Sequence, residues 1–158
     1  MDKAAVYAFL REKGIAFEVT EHAPLANMEA MFAAGLPYPD AIAKNLFVRG
    51  DGKKDYYLIT AREERVIDLK QFRQQFLTKR LSFASEVDLA AVLQLTKGSV
   101  TPFGLLNNTE YRVHFFLDVY FKNRLIGVHP NENTATVWLN SSDLISLVRE
   151  RAASVTLF

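Results

Sequence analysis

Residues 98–108 read Gly98-Ser-Val-Thr-Pro-Phe-Gly-Leu-Leu-Asn-Asn108. Two glycines and a Thr-Pro pair in so short a stretch predict a loop, because glycine supplies backbone conformations that other residues rarely adopt and proline favours turns. Val100 and Phe103 give this loop an apolar lining. Such a loop presents backbone N–H groups at close range, so it is the first candidate for a binding site. The residues alone equally allow a helix end followed by a turn.

The composition indicates one domain over residues 1–158. The chain has 158 residues, of which 49% are hydrophobic, and a formal net charge of +1. That length and apolar content suffice for a single core without disulfides or metals. The chain contains no cysteine, which excludes disulfides, thiolate metal sites and a cysteine nucleophile.

The sequence gives no sign of secretion or of a membrane span. The N-terminal residues 1–5 lack a basic stretch followed by an apolar run, so they do not resemble a signal peptide. The most apolar stretch, residues 114–121, is interrupted by Asp118 and is too short to cross a bilayer. We therefore expect a cytoplasmic protein that has no membrane partner.

The positive charges are unevenly distributed along the chain. Four basic residues lie in one predicted hairpin and five more follow in the middle third: Lys44, Arg49, Lys53 and Lys54, then Lys70, Arg73, Lys79, Arg80 and Lys97. A patchy basic surface would suit RNA phosphates. Ordinary solvated surface charge is the alternative interpretation.

Hydrophobic periodicity and capping residues divide the chain into helices and strands. The predicted helices are 3–13, 27–35, 68–76, 85–95 and 143–152, and the predicted strands are 15–19, 43–48, 56–60, 111–119, 125–128 and 134–139. Strands outnumber helices without a regular βαβ alternation. This pattern predicts an α+β fold in which a mixed, curled and partly barrel-like sheet is covered by helices.

Local signals set several of these boundaries. Asp2 is the expected cap of the first helix, and Ser85 with Asp88 resembles a capping box at the start of another, which Gly98 is expected to end. Ser142 is the expected cap of the last helix. Gly50-Asp-Gly52 offers the backbone freedom of a tight turn, so strands 43–48 and 56–60 should form a hairpin.

Several chemistries have no support in the sequence. His22 and His114 lie in unrelated contexts, whereas His129 precedes a proline at a strand end, where an imidazole can lie at a pocket rim. No helix carries paired histidines or clustered carboxylates at metal-ligand spacing. No phosphate-binding P-loop or dinucleotide Gly-x-Gly-x-x-Gly occurs, and no serine-hydrolase motif surrounds Ser99 or Thr101. We expect neither a metal nor a cofactor.

Aromatic side chains are abundant, so most of them must belong to the core. The chain contains 12 Phe. Phe47, Phe83, Phe103 and Tyr120 are candidates for stacking on nucleic-acid bases, although no RNA-recognition aromatic motif is present.

A series of short motifs resembles the YbaK-like, freestanding prolyl-tRNA editing family (ProX, PrdX). In the family's order they are His22-Ala-Pro24, Lys44-Asn-Leu-Phe47, Leu81-Ser-Phe-Ala-Ser85, residues 98–108, Leu117-Asp118 and His129-Pro-Asn131. The chain departs from the family after Pro24, where it reads Leu-Ala-Asn-Met-Glu, and at Val128 before His129. Both departures bear on the amino acid that is accepted.

The resemblance implies a YbaK/aminoacyl-tRNA synthetase-associated domain that acts as a trans-acting aminoacyl-tRNA deacylase. Its substrate would be the acceptor end of mischarged tRNA(Pro), with alanine as the first choice of amino acid and cysteine as the alternative. Prolyl-tRNA synthetase is a candidate partner, and DNA is not expected to be one. The alternative outside the enzymes is a non-catalytic tRNA-binding or regulatory module.

The resemblance also implies the roles of individual residues. The expected catalytic residues are Lys44, Asn45, Gly98 and Ser99, and the expected substrate-binding residues are Val100, Thr101, Pro102, Phe103, Gly104, Val128 and His129. Water, assisted by the free ribose hydroxyl, would attack the ester while loop amides stabilise the oxyanion. Lys44 would anchor the acceptor end, although a lysine at a strand start is ordinarily just exposed. A small apolar cavity would admit a methyl side chain and exclude the proline ring by steric clash.

Overall fold

The computed structural model describes residues 1–25, 27–52, 54–108 and 110–158; Lys53 of the predicted basic hairpin lies outside them. The helices are α1 (Lys3–Glu12), α2 (Met28–Ala33), α3 (Leu69–Phe76), α4 (Glu86–Leu93) and α5 (Ser141–Arg149). The strands are β1 (Phe17–Glu21), β2 (Ala43–Gly50), β3 (Asp55–Arg62), β4 (Leu81–Phe83), β5 (Arg112–Leu117), β6 (Leu125–Val128), β7 (Ala135–Asn140) and β8 (Ser154–Leu157). Short 3-10 helices span Pro39–Ala41, Pro102–Asn107 and Val119–Phe121.

The larger sheet is mixed and has five strands in the order β4-β2-β3-β5-β8. The predicted hairpin is present, because β2 pairs antiparallel with β3 from Ala43 opposite Arg62 to Arg49 opposite Tyr56. β4 pairs antiparallel with the far end of β2, whereas β5 and β8 are added in parallel. The hairpin thus lies inside the sheet, and the start of β2 is brought close to the end of β3.

The smaller sheet is antiparallel and has three strands in the order β1-β7-β6. The two sheets meet at an isolated parallel bridge between Ile42 and Gly127. We call this junction the seam. The predicted α+β class with mixed sheets and helices is confirmed, and the strands are divided between the two sheets on either side of the seam.

The principal core lies between the sheets and the helices α1, α4 and α5. Its largest fully buried side chains include Phe103, Phe115 and Phe121. A separate cluster packs on the smaller sheet around Trp138 and includes Met31 of α2 and Ile42 of the seam. Because these are different clusters, α2 is not part of the principal core.

Helix starts follow the local signals closely. The side chain of Asp2 accepts the Ala5 N–H at 2.8 Å, and Asn27 accepts the Ala30 N–H at the same distance. Ser85 and Asp88 form the reciprocal capping box at the start of α4. Each cap satisfies an N–H group that a helix start leaves unpaired.

Helices α4 and α5 differ from their predicted ranges in ways that have a local cause. Helix α4 ends at Leu93 because Gln94 takes the left-handed conformation at φ 55°, so Gly98 lies beyond the helix and does not end it. Helix α5 starts at Ser141, since Asn140 accepts the N–H of Ser142 and replaces Ser142 as the cap.

The strand predictions also needed correction. The predicted strand 111–119 ends at Leu117, because Asp118 caps a 3-10 turn. Strands β4 and β8 were not predicted, and the two C-terminal residues of the quoted loop, Asn107 and Asn108, end a 3-10 helix. None of the described helices has the length and apolar character needed to pass through a membrane.

Candidate active site

A cavity of about 360 Å³ opens at the seam between the two sheets. Its walls come from the start of β2, the end of β6, the loop after α4 and the first part of α2. The lining residues are Leu25, Asn27, Met28, Met31, Ala43, Lys44, Asn45, Leu46, Gly98, Val100, Gly127, Val128 and His129. The volume falls within the roughly 300–1,000 Å³ range of small-molecule sites.

The structure brings six of the predicted site residues to this cavity: Lys44, Asn45, Gly98, Val100, Val128 and His129. They come from three separate parts of the chain, which the bridge between Ile42 and Gly127 and the loop after α4 draw together. Ser99, Thr101, Pro102, Phe103 and Gly104 do not line it.

The ammonium group of Lys44 is held at the cavity by backbone carbonyls. Its Nζ donates to the Glu63 carbonyl at 3.0 Å and to the Arg65 carbonyl at 2.5 Å. An ammonium has three donors, so one remains for a ligand. These contacts fix a positive charge at the cavity in place of a freely moving surface lysine.

Asp118 holds the segment that holds Lys44. Its carboxylate is 2% exposed and accepts from the Arg65 guanidinium at 2.8 Å and from the Arg62 N–H at 3.2 Å. It also accepts the N–H of Tyr120 at 2.9 Å. Arg65 therefore links the buried carboxylate to the carbonyl that receives the lysine. The sequence contained Leu117-Asp118 as a motif, but its spacing gave Asp118 no role.

Asn45 presents a neutral donor on the same wall. Its side-chain oxygen accepts a hydrogen bond from the Thr60 hydroxyl at 2.6 Å, across the hairpin from β3. This contact fixes the orientation of the amide. Within the described part of the chain its side-chain nitrogen has no acceptor, so the N–H₂ group is available to a ligand.

The loop after α4 offers backbone donors. Gly98 has φ 89°, a left-handed conformation that favours glycine. The N–H of Ser99 donates to the Thr96 carbonyl at 3.1 Å and is occupied. Among the described residues, the N–H groups of Gly98 and Val100 have no acceptor, and both residues line the cavity. The free donors thus flank Ser99 and do not include it.

The rest of the predicted loop supports the site from behind. The Thr101 hydroxyl donates to the His129 carbonyl at 2.6 Å and ties the loop to the end of β6. Phe103 is fully buried in the principal core, and a Cβ on Gly104 would lie 2.6 Å from Leu95. Pro102 starts the 3-10 helix and is also buried. The expectation that Phe103 lines the cavity or stacks on a base is corrected, because its ring is needed in the core.

His129 faces the cavity as a neutral imidazole. Its Nδ1 lies 2.8 Å from the Ala135 carbonyl, which makes Nδ1 the donor and leaves Nε2 as an acceptor. Burial lowers the pKa of His129 below its ordinary value, the hydrogen bond to Ala135 opposes this shift, and the charge of His22 lowers it further. The lowered pKa favours the neutral ring, with Nε2 unprotonated, at neutral pH.

Sequence reasoning missed several residues of the site. His22 was judged unrelated, yet its ring centroid lies 6.0 Å from that of His129, and its Nε2 lies 2.9 Å from the Thr136 hydroxyl. Met28 and Met31 of α2 form one wall of the cavity. The Asn27 cap was the available signal for α2, but nothing local indicated which side of the helix would meet a ligand.

The cavity offers one cation, neutral donors and one neutral base, which together suit hydrolysis of a small acyl ester. A cation and N–H groups can stabilise the oxyanion that forms when water attacks a carbonyl. In the described residues no three His, Asp or Glu side chains lie close enough to hold a metal ion.

The family match and the most similar relatives found by comparison with known proteins agree with one another. The aminoacyl-tRNA editing domain family matches residues 22–147. The prolyl-tRNA editing protein ProX of Acetoanaerobium sticklandii is 40% identical over 148 residues, which cover 93% of this chain and 90% of that protein. The prolyl-tRNA synthetase associated domain-containing protein 1 of Bos taurus is 30% identical and covers 93% of this chain and 88% of its own.

A solved structure has the same fold. A protein provisionally described as a trans-editing enzyme for prolyl tRNA synthetase superposes with a TM-score of 0.72 over 98% of this chain and 95% of its own. The sequence identity of that pair is 18%, so the likeness concerns the fold.

Proposed function

The chain belongs to the aminoacyl-tRNA editing domain family, and from that premise we propose that it is a trans-acting deacylase that removes a wrong amino acid from tRNA(Pro). The similarity to a protein named for prolyl-tRNA editing supports the choice of tRNA. The observation that carries the proposal is the meeting of Lys44, Asn45, the free loop amides and neutral His129 around one cavity.

In the proposed reaction the aminoacyl group enters the cavity and the ribose stays at its mouth. Water attacks the ester carbonyl, assisted by the free ribose hydroxyl beside the ester. The N–H groups of Gly98 and Val100 stabilise the oxyanion, and the ribose oxygen leaves with a proton. Lys44 holds the negatively charged acceptor end, and no covalent intermediate with the protein is required.

His129 is suited to bind the amino group of the substrate. An aminoacyl ester carries a free α-amino group, which donates hydrogen bonds. The unprotonated Nε2 of His129 can accept one, whereas a protonated imidazole would repel an ammonium group. This role requires the neutral ring that burial favours.

Alanine is the proposed amino acid, and cysteine is the alternative. The apolar walls formed by Met28, Met31 and Val128 suit a small side chain. Proline would be excluded because its ring clashes with the cavity wall. The synthetase cannot reject an amino acid smaller than proline by size, whereas a cavity too small for proline can separate the two.

The test is to follow ester loss from Ala-tRNA(Pro), Cys-tRNA(Pro) and Pro-tRNA(Pro) with and without the purified protein. Rapid loss of alanine alone is the expected result. Rapid loss of cysteine in its place would transfer the chain to the cysteine alternative. Binding of all three with no ester loss would contradict the proposal and favour a non-catalytic module.

A larger side chain at Val128 should reduce the range of amino acids that the protein removes from tRNA(Pro). Val128 is buried at 2% exposure and lines the cavity, so Val128→Ile adds a methylene to the wall. We expect kcat/KM for Cys-tRNA(Pro) to fall about tenfold relative to that for Ala-tRNA(Pro), the effect of roughly one methylene. Val113→Ile, in the core away from the cavity, is the matched control. An unchanged ratio would show that Val128 does not limit the side chain.

A larger side chain at Ser99 is not an equivalent test. Ser99 is buried at 5% exposure but does not line the cavity. A larger residue there would press on the loop and not on the substrate, so Val128 is the position at which size can be tested cleanly.

Activity should be insensitive to pH around neutrality and fall only on the acid side of 6.5. Burial lowers the pKa of His129 from its ordinary value of 6.5, so the neutral ring persists below that pH. The check is the kcat/KM profile for Ala-tRNA(Pro), with His114→Gln, remote from the cavity, as the control. A limb centred above 6.5 would contradict the assignment of His129.

The same shift predicts the sign of a stability change. The unfolded chain binds a proton at His129 more readily than the folded chain does, because the folded pKa is the lower one. The free energy of unfolding therefore decreases as the pH falls through the interval between 6.5 and the folded pKa. Above 6.5 this contribution is constant.

A further inference from the structure

We infer that a second cavity beside the first binds the terminal nucleobase of the tRNA, with the base stacked on Phe83. This inference rests on the proposed function and assigns the part of the substrate that the first cavity leaves outside. The second cavity has a volume of about 480 Å³ and lies against β4 and the start of α4.

The two cavities are adjacent. Asn45, Leu46 and Val100 line both of them, so these residues form the ridge between them. In an aminoacyl-tRNA the amino acid and the terminal adenine are attached to the same ribose. When the aminoacyl group occupies the first cavity, a ribose on this ridge would direct the base toward the second cavity.

Phe83 provides the surface on which a base would stack. It lines the second cavity and is 65% exposed, although it lies in a strand that pairs with β2 at Val48. A single exposed apolar residue is ordinary, but an exposed ring on the wall of a cavity offers its π-face to a planar ligand. Stacking tolerates any base because every base has a π-face.

The charges around the second cavity fit a nucleotide. Lys97 and Glu86 both line it. Lys97 directly precedes Gly98, so a cation lies next to the loop where the phosphate that precedes the terminal nucleoside would pass. Glu86 offers an acceptor for an amino or hydroxyl group.

The basic residues just before β4 continue this path. Lys79 and Arg80 immediately precede β4, and the Arg80 carbonyl accepts the N–H of Asp51 in the hairpin turn. At about 3.3 Å per residue, Arg80 lies roughly 10 Å along the strand from Phe83. A single strand of RNA that leaves the cavity along β4 would meet positive charge.

The test is a double-mutant cycle between the protein and the tRNA. Alanine-charged tRNA(Pro) is compared with the same tRNA whose terminal nucleotide carries the ester but lacks its base, each with wild-type protein and with Phe83→Ala. We expect about a tenfold loss of kcat/KM from either change alone, as for the loss of one base–aromatic stack, and no further loss from both. Phe83→Trp should retain activity.

Val87→Ala is the matched control, because Val87 is 78% exposed on α4 and lines neither cavity. If Phe83→Ala equals wild type on the normal tRNA, or if its loss persists in full on the tRNA that lacks the base, the inference is overturned. If wild-type protein deacylates no tRNA at all, the proposed function has failed instead, so the two failures are distinct.

Discussion

Lys44→Met removes the fixed charge at the cavity and should lower kcat/KM for Ala-tRNA(Pro) by about tenfold or more. The Lys44 ammonium is held by the carbonyls of Glu63 and Arg65, and its third donor remains for the acceptor end. Methionine keeps most of the aliphatic chain and loses the charge. The chain therefore keeps its packing while the site loses its cation.

Folding should change little in this variant. The two carbonyls lie in a segment between β3 and α3, and losing their donor costs about 1 kcal/mol, since most of each hydrogen bond can be replaced by water. Lys70→Met, on the exposed surface of α3, is the control for the loss of one positive charge. A soluble Lys44→Met protein with wild-type activity would refute the role of Lys44.

Asp118→Ala should reduce the free energy of unfolding by about 3–5 kcal/mol, the usual cost of removing one partner of a buried ion pair. The carboxylate is 2% exposed, lies 2.8 Å from the Arg65 guanidinium and accepts two backbone N–H groups. Its removal leaves the Arg65 guanidinium with only the Phe158 carbonyl as a hydrogen-bond acceptor among the described residues, and two backbone N–H groups without their acceptor. Urea denaturation of the variant and of the wild type measures the difference.

Asp118 should also affect catalysis through Lys44 in variants that remain folded. Asp118→Asn preserves the shape of the side chain but removes the charge that pairs with the Arg65 guanidinium. The carbonyls that hold Lys44 then lose their fixed position. We expect a loss of kcat/KM that largely disappears when Lys44→Met is already present, because both changes act on one group. Fully additive losses would separate Asp118 from Lys44 and leave it a purely structural residue.

Features that depend on neighbouring residues could be predicted from the sequence. The caps at Asp2 and Ser85 were expected because each acts on an N–H group three residues away. The hairpin around Gly50-Asp-Gly52 was expected for the same reason. The α+β class followed from the order of these elements.

Features that depend on distant contacts could not be predicted. β4 and β8 are only three and four residues long and are strands because β2 and β5 pair with them. Phe103 was expected at the cavity, but the loop turns its ring into the core. The local sequence does not determine which side of the loop faces the core, since either side could have been buried.

Part of the cavity lining was named from the sequence, and for a particular reason. Lys44, Gly98 and His129 are far apart in the chain, and no spacing rule brings them together. The resemblance to a known family grouped them, whereas the residues alone left each with an ordinary alternative. Asp118, Met31 and His22 needed the three-dimensional arrangement, because their contributions come from contacts across the fold.

The separation of α2 from the principal core has a consequence for how such proteins diversify. The cavity wall of Met28 and Met31, which we propose contacts the amino acid side chain, is attached through the cluster around Trp138. The wall proposed to carry the catalytic groups is attached to the principal core. Substitutions at Met28 or Met31 can therefore accumulate without destabilising the principal core. Related proteins that keep the same catalytic groups can therefore come to accept different mischarged amino acids through changes in one short helix.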